Sequence, residues 1–447
     1  GLVEDIPDED EQFRFTSPII LECLERILCF SGLSNLRQRA IETHKKLADL
    51  HSRNLDSNLF QAARHASLSG SGYSEKALPL CVKAAEKAFQ LNAFIEAKEY
   101  AQKAISLSER DKHPKINLRW TALRIYLQSF EITGTLNDFP ATLEKMYMEL
   151  VSSDSSAQSD EKSRLCATLA ISLAKFDNFD DSLQCLNKAS DSQSGSTLAP
   201  LEIAHAHAFL EMRQGKCLEA IQSLDEVLQN KSDGQEGLAT KQATAKALDS
   251  RANAKLNQQD ERISSEQRSS AIDDINHSLK IKREIGDKAG QAMSLGTLGR
   301  YYLLTKNDKF FKEHSVDAVS AFEEDLKISE EIGDLIGQLK MPGLIAGCHR
   351  RSKDYETAIQ HYQTAESKAR KHKSTLDLAF ALSGLAFCYN KLGRDNQSDK
   401  IGKKLAQEIS GLESKTLSHL RYELKWLDSI GLEKDWVEKI KSAEESL

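Results

Sequence analysis

Five times along the chain a small residue is followed twelve positions later by a second small residue, and seven later by a third small or aliphatic one. The sets are Ala85/Ala97/Ala104, Ala170/Ser182/Ala189, Ala208/Ala220/Val227, Ala346/Ala358/Ala365 and Ala386/Ser398/Leu405. That rhythm predicts paired antiparallel helices packed so closely that little beyond a methyl group fits where they cross. Segments 93–107 (AFIEAKEYAQKAISL) and 353–369 (KDYETAIQHYQTAESKA) each read as a turn followed by an amphipathic helix. A periodic array of such hairpins is a solenoid, an elongated unit whose core grows with each repeat. The 447 residues, 40% apolar but only 6% aromatic and with seven prolines, fit that Ala- and Leu-rich design.

The organisation follows from where the rhythm starts and breaks. Residues 1–12 are acidic and predicted to be a disordered leader. Residues 13–57 form a helical junction that opens on a β-like FRF and continues with Thr16 or Ser17 as N-cap, with Pro18 in the first turn. An N-terminal array over 58–256, a polar insertion at 257–270 and a C-terminal array over 271–410 follow, closed by a helical cap at 411–447 that carries Trp426 and Trp436. One repeat boundary is written almost twice: LKIKREIGDKAGQA (279–292) and LKISEEIGDLIGQL (326–339) share EIGD at an offset of 47 residues. In each, the glycine (Gly286, Gly333) suits a left-handed helix end and the aspartate (Asp287, Asp334) suits the next N-cap. Between Gly299 and Ala318 the spacing is 19 instead of twelve, which predicts a stretched turn around NDKFFKEHS.

Composition excludes more than it identifies. A net charge of −7 argues against a general nucleic-acid or anionic-membrane surface, because those need clustered positive charge. The eight cysteines are scattered without a CxxC pair, as buried free thiols in a reducing compartment are. The expectation is a cytoplasmic chain, and its opening on Gly1 without Met predicts an excised part of a longer protein. Neither a G-x-x-x-x-G-K-[ST] loop nor a G-x-S-x-G elbow is present. His205 and His207, two apart, fall on opposite faces of a helix and cannot share a metal. His349 and His361 read as ordinary surface or groove histidines, and Asp273/Asp274 and Glu323/Glu324/Asp325 read as solvated helix faces. The expectation is a non-enzymatic chain without cofactor or metal.

In tetratricopeptide repeats, which these hairpins resemble, the first helix of each hairpin lines the inner wall, and the resemblance implies that binding occurs there. Counting from the small residue at each crossing point, the inward positions are Met293, Gly296, Arg300, Leu303 and Leu304, then Lys340, Gly343, Gly347, Arg350 and Arg351, then Phe380, Ser383, Phe387, Asn390 and Lys391. His205, Phe209, Met212, Arg213 and Asn253 hold comparable places upstream. An acidic chain would thus present a groove with Arg300, Lys340, Arg350, Arg351 and Lys391 beside Phe380, Phe387 and Asn390. Guanidinium groups favour carboxylates, so the predicted partner is an acidic or C-terminal peptide segment of a protein. Gly343 and Gly347 leave room for close approach by a ligand or by the next hairpin.

The hairpins resemble tetratricopeptide repeats of the longer kind seen in kinesin light chains and bacterial regulators, most clearly at 289–410. The resemblance implies an all-α, right-handed superhelical solenoid. The N-terminal segment, with Phe13, Phe15, Pro18, Arg37, Arg39 and His44, is similar to the junction between a winged-helix tail and the repeat array in bacterial STAND ATPases, with Ser17 where the motif has His. This resemblance implies a sensor array that relieves inhibition of an attached ATPase or cyclase module outside this chain. A free-standing scaffold or adaptor, and a small-ligand or peptide-pheromone sensor, are the alternative readings.

Overall fold

The computed structural model describes residues 3–5, 13–15, 34–109, 116–133, 139–152, 160–190, 198–229, 237–256, 265–304 and 307–409. Val3–Asp5 (β1) and Phe13–Phe15 (β2) form an antiparallel pair, with Val3 opposite Phe15. The segment read as a disordered leader thus contributes a strand to FRF. Everything else that is regular among the described residues is helical.

The chain divides into two compact units, Gly1–Ser129 and Phe130–Leu447. The first contains α1 (Ser34–His51), α2 (Leu55–Ser67), α3 (Ser74–Gln90) and α4 (Phe94–Glu109), each packed on the next. Ala62, Ala63, Ala66, Ala77, Cys81 and Ala84 fill its core, small residues that let helix axes approach closely. Helix α5 (Ile116–Thr133) carries the boundary between the two units.

The second unit continues with α6 (Phe139–Ser152), α7 (Asp160–Lys175), α8 (Phe179–Ser190), α9 (Leu198–Arg213), α10 (Cys217–Gln229) and α11 (Leu238–Leu256). A short α12 (Ser265–Ser269) leads into α13 (Ala271–Ile285), α14 (Lys288–Leu304), α15 (Asp308–Ile332), α16 (Leu335–Arg351), α17 (Tyr355–Lys371), α18 (Thr375–Lys391) and α19 (Asp395–Ile409). These are helical hairpins in series, as the twelve-residue rhythm requires. The crossing points can be read directly. Where the second small residue is serine, its hydroxyl donates to the carbonyl of the first: Ser182 to Ala170 and Ser398 to Ala386, both at 2.9 Å. Ala85, Ala97, Ala104, Ala208, Ala220, Ala346 and Ala358 are wholly buried.

Turn chemistry also matches the sequence. Gly286 and Gly333 sit at φ +72° and +73° as left-handed helix ends. The Asp334 carboxylate accepts from the backbone of Ile336 and Gly337, and Asp287 accepts from Gly290. The stretch after Gly299 differs from expectation: its extra residues extend α15 by further helical turns instead of lengthening a turn. Asn307 caps that extension, accepting from Lys309 and Phe310, and the helix bends at His314. Tyr302, Phe310 and His314 stack there, with the Phe310 and His314 ring centres 4.5 Å apart, so the insertion carries its own apolar contact. The predicted cap at 411–447, with Trp426 and Trp436, and the helix predicted after Pro18 lie outside the described residues.

Candidate functional site

Residues predicted to face inward on the last two hairpins meet at Phe387 on α18. Its ring lies 5.4 Å from the Arg350 guanidinium of α16 and 5.4 Å from the Lys391 ammonium one turn further along α18. Tyr355, at the start of α17, meets the same ring edge-on at 6.2 Å. Phe387 is only 8% exposed, so it serves less as a free anchor than as a floor on which two cations rest. Lys391 and Asn390 are exposed beside it. One hairpin earlier, Lys340 is exposed on α16. Arg300 is exposed on α14, where its guanidinium turns back along its own helix toward the Gly296 carbonyl and Thr297.

Two predicted groove residues have other roles. Arg351 donates to the Leu303 carbonyl and to Asp308, and its guanidinium lies 4.3 Å from the Phe311 ring centre. It ties α16 to the preceding hairpin and is spent on that contact. Phe380, half-buried, lies edge-on to the buried Tyr362 and occupies the space above Gly343, where a Cβ would come 2.8 Å from its ring. The glycine gap at Gly343 is therefore filled by the next hairpin. At Gly347 the near neighbour is Leu303 of the hairpin before, at 3.5 Å.

All six described cysteines are free and buried. Burial pushes the thiols of Cys81, Cys166, Cys348 and Cys388 up to about 12, which leaves them protonated and unreactive at neutral pH. His205 bonds to the Ser250 hydroxyl at 2.7 Å, and burial lowers its pKa to about 3. His349 and His361 stack at 5.4 Å across the α16–α17 hairpin, and burial followed by the neighbouring imidazole lowers His361. Among the described residues no three His, Cys, Asp or Glu side chains are grouped to hold a metal, and no helix is long and apolar enough to cross a membrane.

Sequence reasoning missed a polar core. Asp274 and Asp325, read as part of solvated faces, are buried, whereas Asp273, Glu323 and Glu324 beside them are exposed. Asp274 pairs with Arg251 at 2.6 Å and Lys255 at 2.8 Å. Lys282, 1% exposed, pairs with Asp249 and donates to Ser294 at 2.9 Å. The available signal is positional: Asp274 falls on the same helix stripe as Ile275, Ser278, Leu279 and Lys282, the stripe that faces the core.

No family model matches the chain, and no curated protein matches it in sequence. Among solved structures, a signal transduction ATPase with numerous domains and a tetratricopeptide repeat sensor, from Pyrococcus horikoshii, is similar over 78% of this chain, with 15% identity and a TM-score of 0.48. The match spans 52% of that protein's length. A Rap protein complexed with competence and sporulation factor is similar over 83% of this chain and 87% of its own, with 11% identity and a TM-score of 0.48. The apo form of RapI matches over 74% and 84% respectively, with 14% identity and a TM-score of 0.47. The tetratricopeptide-like fold of this chain rests on its own hairpins: their crossings, their turns and their order.

Proposed function

We propose that this chain is a non-enzymatic recognition module, the repeat sensor of a larger cytosolic signalling ATPase, and that it grips an acidic or C-terminal protein segment on the first helices of its C-terminal hairpins. The observation that carries the reading is Phe387 with Arg350 and Lys391 both 5.4 Å from its ring. Two cations held over one aromatic floor are positioned before a partner arrives, so less side-chain entropy is lost when a carboxylate docks. The guanidinium supplies paired donors and the ammonium a mobile point charge. Asn390 adds a neutral donor and acceptor beside them, and Arg300 and Lys340 extend positive charge along the preceding hairpins. Against a net charge of −7, such a local concentration selects acidic partners by field as well as by contact.

The test is fluorescence anisotropy with a labelled acidic peptide bearing a free C-terminal carboxylate, on the whole chain and on Arg350→Glu/Lys391→Glu. The reading expects about a tenfold or greater loss of affinity, from reversing charges that are each worth roughly 1–3 kcal/mol. Unchanged affinity would remove the basic surface from the proposal. Arg351→Glu is the control: its loss falls on the contact with Leu303 and Asp308. The ATPase-linked role has a separate test in the coding sequence upstream of Gly1, where a nucleotide-binding loop is expected.

A further inference from the structure

The two EIGD boundaries, 47 residues apart, put the same pocket together from different residues. In the first, Asp249 of α11 points at Lys282 of α13, and Ser294 of α14 donates to the same carboxylate at 2.9 Å. The stem of Lys282 reaches it by passing over Gly290, where a Cβ would lie 2.9 Å from the lysine Cδ. Adding 47 to each position gives Gly296, Ser329, Met341 and Gly337 in the second boundary. The carboxylate no longer comes from the first helix. It comes from Asp325 on α15, at the position of Ser278, and its Oδ2 fills the space beside Gly296, where a Cβ would stand 2.8 Å away.

The lysine is gone as well. Ser329 takes its place and donates to Asp325 Oδ1 at 3.0 Å. Asp325 is 4% exposed, and among the described residues its side-chain hydrogen-bond partner is Ser329. The charged groups that face it are Arg300 from α14, which favours its ionised form at longer range, and Asp334 from the α15–α16 turn, which opposes it. Asp334 itself is half-buried, accepts from the Ile336 and Gly337 amides, and faces Lys340 of α16. One boundary thus neutralises its buried carboxylate with a lysine, and the other has only a serine hydroxyl to offer.

We propose that Asp325, seated against Gly296 between Ser329 and Arg300, is a proton-operated joint: neutral, it holds α15 against α14, and ionised, it loosens that contact. A buried carboxylate without a cation takes up a proton instead. Burial, reinforced by Asp334, accordingly raises its pKa from the ordinary carboxylate range to about 7. The sign follows. The folded form binds the proton more tightly than the unfolded form, so the stabilisation is complete in acid and is lost as pH rises through about 7.

The experiment is hydrogen exchange on the full chain at about pH 6 and about pH 8, corrected for intrinsic amide rates. Protection over 288–332 is expected to fall about tenfold between the two, the ratio of neutral populations for a group titrating near neutrality. Asp325→Asn keeps the shape without the charge and is expected to show equal protection at both. Ser329→Lys restores the lysine of the first boundary, over the glycine that still leaves it a path, and is expected to flatten the profile with Asp325 intact. A wild-type profile without pH dependence overturns the joint. So does a dependence that survives Asp325→Asn, since the titration would then belong to Asp334.

Discussion

At the residue scale the unusual expense of this fold is the ion pair between Lys282 and Asp249, shut in with Ser278 and Ser294. Two charges removed from water recover their hydration only through each other, so the pair contributes little net stability while either member alone is costly. Lys282→Met should therefore destabilise the chain by about 3–5 kcal/mol, because Asp249 is left buried without its cation. Adding Asp249→Leu to that variant should return most of the loss. Urea unfolding of both single variants and the double variant checks it, and a double variant as unstable as Lys282→Met refutes it. Lys282 itself marks where the first EIGD boundary departs from the second, so its charge sets which carboxylate can be tolerated in the pocket.

At the element scale the insertion before α15 shows how a solenoid absorbs extra residues. Asn307 satisfies two amides at the new helix start, at 3.0 and 3.1 Å, and His314 bends the helix so that Tyr302 and Phe310 close over it. Asn307→Ala should cost about 1 kcal/mol, the ordinary worth of an N-cap. The loss should appear as faster hydrogen exchange confined to 308–314, and exchange that rises equally through 318–332 would mean the extension is not a separable piece. The sequence announced this insertion only as a miscount. A count of residues between crossing points cannot tell a long turn from an early helix start, although N-D at its head was a readable cap. Regular elements were far more legible: alanine at the crossings and glycine and aspartate at both EIGD turns follow directly from pattern. The candidate site was legible as positions and not as partners. Arg350, Arg351 and Lys391 share a predicted inward register, yet only contacts across hairpins show that Arg351 is committed to Leu303 and Asp308 whereas the other two rest on Phe387. Asp274 and Asp325 were misread for a related reason. Charge next to charge in sequence suggests a wet face, but on a helix of 3.6 residues per turn neighbours point 100° apart.

At the scale of the whole molecule, a hairpin in series is stabilised mainly by the hairpins that touch it, so damage should spread by adjacency. Gly384, in the middle of α18, offers a clean test. Its missing side chain leaves the space that the buried Tyr362 ring occupies, and Tyr362 also holds Phe380 above Gly343. Gly384→Ala places a methyl group against that ring, and overpacking of this kind costs about 1–3 kcal/mol. If stability were pooled over the chain, amide protection would fall everywhere by a similar factor. If it is a sum of local interfaces, protection should drop in α16–α19 and stay unchanged in α2–α4 of the other unit. The second result is the one expected, because Tyr362, Phe380 and Gly343 belong to α16–α18, and the core of the first unit is built from its own alanines. Local stability of this kind also has a functional consequence. A partner bound at Arg350, Phe387 and Lys391 would brace the hairpins it touches, and protection gained on peptide binding should likewise stop at their neighbours.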